Sequence, residues 1–206
     1  MAAFLGNLRN VVITGFVLAI LLALLYLSRG GSADATFWSF ITRWLHIASG
    51  VMWIGLLWYF NFVQIPTMPK VPAELKGGIT GYIAPQALFW FRYSALATVI
   101  LGLGLASQSA SYTLQGALTL DAINGFTTIN TTLIGIGMWL GLIMAFNVWV
   151  LIWPAQQKAL NIGGKYADLP AAEKAAAAKT AGMYSRINTL LSLPMLFSMV
   201  AAGHLY

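Results

Sequence analysis

The sequence predicts an all-α integral membrane protein, a bundle of about five transmembrane helices forming one domain over residues 1–206. Three observations point there. The chain is 59% hydrophobic and 8% charged, where a soluble domain carries about 25% charged residues. Its apolar residues fall into five stretches of the length a bilayer span needs, about 20 residues at 1.5 Å rise each. None of those stretches holds an aspartate or glutamate: Asp34, Glu74, Asp121, Asp168 and Glu173 all fall between them.

The first span covers about Val11–Leu27. It follows a leader-like start but is long for a signal peptide and lacks a clear small-residue cleavage site, so it reads as a signal anchor. The second covers about Phe37–Val63. A segment rich in proline follows, with Pro66, Pro69, Pro72 and Pro85 around Lys70 and Lys76. It reads as a loop or as short helical turns, because proline removes a donor and restricts its predecessor. The third span covers about Leu88–Ala106, with Arg92 near its start as an interfacial anchor. A polar linker without lysine or arginine leads to the fourth, about Thr127–Trp153, stopped by Pro154. An Ala-rich helix should then begin near Pro170, with Asp168 as a possible cap. The fifth span, about Met183–His204, is kinked at Pro194.

Lysines set the orientation. Lys70 and Lys76 fall between the second and third spans, and Lys158, Lys165, Lys174 and Lys179 between the fourth and fifth. The positive-inside rule therefore places the N-terminus in the cytoplasm and the C-terminus outside. The net charge of +6 reads as membrane topology, not as a nucleic-acid surface.

This parity brings the two histidines of the chain, His46 and His204, into the same leaflet on different helices. Ionisable residues in spans are functional candidates by default. Arg43 lies one turn outward of His46 and can snorkel to the interface. Two imidazoles at matched depth can ligate one metal or flank one haem iron, and Arg43 would then receive an acidic substituent through its guanidinium. The alternative for His46 is a ring bonded to neighbouring backbone, and for His204 an exposed tail residue. Gly135, Gly137 and Gly141 lie on the fourth span. They suit close helix packing or a flat face against a macrocycle. Asn61, Asn147 and Asn188 read as interhelical hydrogen-bonding amides, and Trp44, Trp58, Trp90 and Trp153 as an aromatic belt.

Several classes are disfavoured. No intramembrane carboxylate offers a proton relay or a general base. No phosphate-cradling, zincin or nucleophile-elbow motif is present, so no catalytic residue is assigned. The absence of cysteine excludes disulfides, thiolate metal sites and covalent c-type haem attachment.

Two stretches carry a resemblance. They are RWLHIASGVMWIG (Arg43–Gly55) and the pair IMAFNVWVLIWPAQQKAL (Ile143–Leu160) and NTLLSLPMLFSMVAAGHLY (Asn188–Tyr206). Together they resemble the membrane domain of the bacterial membrane-bound urate oxidase family, the urate hydroxylase type with a cytochrome c tail. The W-L-H-x-x-x-G-x-x-W-I-G pattern is also similar to other small haem-associated membrane families, including the membrane protoporphyrinogen oxidase type. This chain lacks the C-x-x-C-H motif of the tail, and it has Gly135 and Ile187 where other members place histidines. The resemblance implies a helical domain in the bacterial inner membrane that binds haem b. His46 and His204 would be metal ligands, and Arg43, Gly135 and Gly137 would face the cofactor. The implied partners are membrane lipid and a redox protein, either a separate cytochrome c or a larger membrane complex. A rival expectation is a non-catalytic accessory subunit of a respiratory or photosynthetic complex that binds lipid, quinone or pigment.

Overall fold

A computed structural model describes residues Ala2–Leu205. It is 83% helical with no strand among the described residues. Four helical runs are long and apolar enough to cross a membrane: Leu8–Ser28, Ala35–Lys70, Ala73–Ser107 and Ile129–Leu160. By length and composition these make the chain a multi-pass membrane protein.

The chain divides into two compact units, Met1–Ile41 and Thr42–Tyr206. In the first, helix α1 (Leu8–Ser28) starts at Asn7, whose side chain accepts the Asn10 N–H. It buries no side chain within the protein, as expected of a helix whose apolar surface is left for lipid. Gly30 turns the chain at φ +95°, a conformation open to glycine. Tyr26 stacks on Phe37 with ring centroids 5.9 Å apart. Asp34 starts α2 (Ala35–Trp58) by accepting the Phe37 N–H at 3.0 Å and the Ser32 hydroxyl at 2.8 Å. Those donors, the Phe37 N–H first, hold its carboxyl below the usual aspartate value.

The second unit holds the core. Trp53, Leu57 and Phe60 pack with Leu88, Phe91 and Ala95 of α3 (Ala84–Ser107). Met144 of α5 (Ile129–Phe146), with Val148 and Ile152 just beyond it, and Met195 of the long C-terminal helix complete the cluster. Between α3 and α5 lies a short helix, α4 (Leu114–Leu118). After it, the fully buried Asp121 bonds the Thr128 N–H and the Asn124 amide. The expected amide contacts are present. Asn188 accepts from Asn147 at 2.8 Å and donates to the Met144 carbonyl at 2.9 Å, and Asn61 donates to Ser185.

The prolines behave differently from the sequence expectation. Helix does not stop at Pro154; it continues as α6 (Trp153–Leu160). The run before Pro66 likewise extends to Lys70, and the third helical run begins at Ala73, well before Leu88. Each passage uses a wider π-helical turn placed just before a proline: Tyr59–Gln64, Ile79–Ile83 and Asn147–Ile152. A proline in an α-helix collides with the carbonyl four residues back. Here the residue before each proline bonds five residues back, Ile65 to Phe60, Ala84 to Ile79 and Trp153 to Val148. The wider turn displaces the offending carbonyl and lets the helix run on.

Asn161, in the left-handed conformation, ends α6. The last helix, α7 (Ala171–Ala201), starts after Pro170 and has no side-chain cap, so Asp168 does not cap it. The expected fifth span is the C-terminal part of α7, which is not among the four most apolar runs. Its buried positions include Ser185, Asn188, Ser192 and Ser198, which lower its hydropathy while facing protein. Ser192 accepts the Trp58 indole N–H at 3.0 Å.

Candidate cofactor cavity

One cavity of about 870 Å³ opens among α2, α3, α5 and α7. Arg43, His46 and His204 all line it, so the three polar residues singled out from the sequence come together within the second unit.

His46 is partly buried on α2, and its Nδ1 lies 2.9 Å from the Thr98 carbonyl of α3. A carbonyl only accepts, so Nδ1 carries the proton and Nε2 keeps its lone pair. This is the arrangement by which proteins orient a ligating imidazole. The ring can approach α3 only because residue 102 is glycine: a Cβ there would meet His46 Cε1 at 2.9 Å and Nδ1 at 3.1 Å. Ser49 and Thr98 brace the same contact. The Ser49 hydroxyl donates to the His46 carbonyl, that of Thr98 donates to Ser94, and their oxygens lie 3.1 Å apart.

His204 lies in the turn after α7, exposed, with Nδ1 2.9 Å from the Val200 carbonyl. The same logic leaves its Nε2 as an acceptor. Arg43 is exposed at the cavity margin. Beside it is Tyr112, in the linker after α3, which burial pushes above the usual phenol value against the opposing pull of Ser109 and the Arg43 charge.

Gly135 and Gly137 take the close-packing role, one of the two expected for them. Neither Gly135 nor Gly137 lines the cavity. A Cβ on Gly135 would collide with the Ala117 carbonyl oxygen, and one on Gly137 would press on the Met199 side chain at 3.2 Å. Both serve close packing, Gly135 against α4 and Gly137 against α7. Gly141 lines the cavity with open space before it. Sequence reasoning also missed Gly102, Tyr112, Trp53 and Asn130. A Gly-x-Gly in the third span was the available signal for Gly102.

The fit of a haem can be judged from the donor set. Among the described residues no cluster of three or more His, Cys, Asp or Glu is present. Two imidazoles with free Nε2 suit an iron whose other ligands come from a macrocycle. The volume falls in the usual range for cofactor sites. Trp53 Nε1 and Asn130 Oδ1, both on residues lining the cavity, are buried without a partner, as expected where a ligand or water completes the wall. His46, His204 and Arg43 are the polar side chains of this cavity that would hold such a group.

Arg92, expected as an interfacial anchor, packs against protein. It is 8% exposed, and its guanidinium carbon sits 3.2 Å from the centroid of the Trp153 ring. Comparison with known protein families, curated proteins and solved structures finds no match for this chain.

Proposed function

We propose that the protein is a haem b-binding electron-transfer protein of the membrane, of the type found in the urate oxidase membrane domain. One observation carries the reading: both histidines of the chain open onto one cavity, each with Nδ1 engaged by a backbone carbonyl and Nε2 left for a ligand. Bound haem supplies one-electron redox chemistry. The protein supplies orientation, a low-dielectric wall and an anchoring charge. The Thr98 carbonyl fixes the His46 tautomer, Gly102 admits the ring, and Arg43 meets a carboxylate at the margin.

Electrons pass to or from a separate partner, a cytochrome c or a larger membrane complex. The protein sits in a bacterial inner membrane with its N-terminus inside and C-terminus outside, a placement supported by the lysines flanking the spans. The test is a reduced-minus-oxidised absorption spectrum of the protein purified from a haem-replete membrane. A b-type Soret and α band is the expected result. A colourless preparation that stays colourless after incubation with haem refutes the reading and favours an accessory subunit.

A further inference from the structure

We propose that the aromatic box around Arg92 is a binding site for a phosphate oxyanion, separate from the cavity of the two histidines. Arg92 lies near the N-terminal end of α3, and neither it nor its aromatic neighbours Tyr93, Trp149 and Trp153 line that cavity. Its guanidinium carbon is 3.2 Å from the Trp153 ring centroid, 5.7 Å from that of Tyr93 and 5.9 Å from that of Trp149. An approach as close as that to Trp153 accommodates only face-to-face stacking. Stacking engages the face of the guanidinium and leaves its N–H edges pointing sideways.

Tyr93 takes part of those edges through its side chain, and the rest are not satisfied. Nε and Nη1 of Arg92 are buried without a hydrogen-bond partner, and so is Nε1 of Trp149. The box thus presents three N–H-bearing atoms without a partner and one positive charge. Its chemical complement is an acceptor-only group of negative charge. Protein carboxylates do not fill the role. Asp34 bonds Ser32 and Phe37, and Asp121 bonds Thr128 and Asn124. Glu74, Asp168 and Glu173 are exposed. Cation–π contact offsets only part of the cost of a buried arginine in a membrane protein, so an unpaired charge here calls for an anion. A phosphate fits best, because a fork of planar donors matches its oxygens bidentately. The π-helical turn Asn147–Ile152 carries Trp149 and delivers Trp153 directly after it, and such turns recur at functional sites. Tyr93 and Trp90 beside the box are exposed.

The phosphate has two possible sources, an anionic lipid headgroup or the free ion. The test uses full-length protein stripped of lipid in neutral detergent. Thermal stability is titrated with phosphatidylglycerol, with phosphatidylcholine as its zwitterionic control, and with inorganic phosphate. Wild type should be stabilised saturably by phosphatidylglycerol or by phosphate. Response to the lipid alone identifies a headgroup, and response to both identifies the bare oxyanion. Trp149→Phe keeps the ring and removes one donor, and should weaken that response about tenfold. Arg92→Lys keeps the charge but loses the fork and should weaken it similarly. Because Arg92→Lys alone can perturb folding, Trp149→Phe is the deciding variant. No saturable response to either probe, or a wild-type response in Trp149→Phe, overturns the proposal.

Discussion

Replacing Gly102 by alanine tests whether His46 is held as described. A Cβ at residue 102 would sit 2.9 Å from Cε1 and 3.1 Å from Nδ1 of the imidazole, so the ring must swing away and release the Thr98 carbonyl. Overpacking of this kind costs about 1–3 kcal/mol, and a lost hydrogen bond adds about 0.5–1.5 kcal/mol. Alanine gives back about 1 kcal/mol of helix propensity. The balance is a destabilisation of about 2 kcal/mol, a fall of roughly 4–8 °C in Tm for a chain of this size. Gly104→Ala is the internal control. Its nearest neighbour, Thr42 Cγ2, would lie at 4.0 Å, an ordinary contact, so propensity alone should raise Tm by a few degrees. Thermal unfolding of both variants in one detergent, with bound haem quantified, makes the comparison. Equal shifts in the two variants, or full haem retention in a destabilised Gly102→Ala, would refute the account of the ring's seat.

Three further outcomes are expected. Asn188→Leu should destabilise the protein by about 2–3 kcal/mol, because it strands the Asn147 amide and the Met144 carbonyl. Adding Asn147→Leu should recover part of that loss, and chemical denaturation of the single and double variants reads both. The Asp34 carboxyl is held below its ordinary value of 3.8, so its cap contributes stability above that value and loses it as pH falls through the lower native one. Hydrogen exchange at the Phe37 amide should show that loss in acid, and Asp34→Asn should abolish its pH dependence. A reporter active only in the periplasm, fused after Tyr206, should be active; activity only from a cytoplasmic reporter would reverse the orientation.

The apolar helices were legible because composition and length are local properties of the chain. The course of helices through Pro66, Pro85 and Pro154 was not. A proline reads as a stop if the turn before it is α-helical, and nothing in single-residue propensity announces a turn bonded five residues back. Arg92 read as a snorkelling anchor because a basic residue near a span end commonly is one. Its burial depends on Trp149 and Trp153, distant in sequence and brought near by packing. The cavity's three polar residues could be anticipated from span parity, which needs only the count and direction of helices. The roles of Gly135 and Gly137 could not, since a small residue in a span says that something approaches closely and not what approaches. Gly102 was missed for the same reason: the atom that needs its missing Cβ belongs to His46, on another helix.

The central claim is that His46 binds the cofactor and His204 completes its coordination. The most direct measurement is the absorption spectrum of His46→Ala and His204→Ala, each purified beside the wild type and incubated with haem. The account predicts no bound haem in His46→Ala, and conversion from a six-coordinate low-spin to a high-spin spectrum in His204→Ala. Full haem occupancy with an unaltered spectrum in His46→Ala would contradict it.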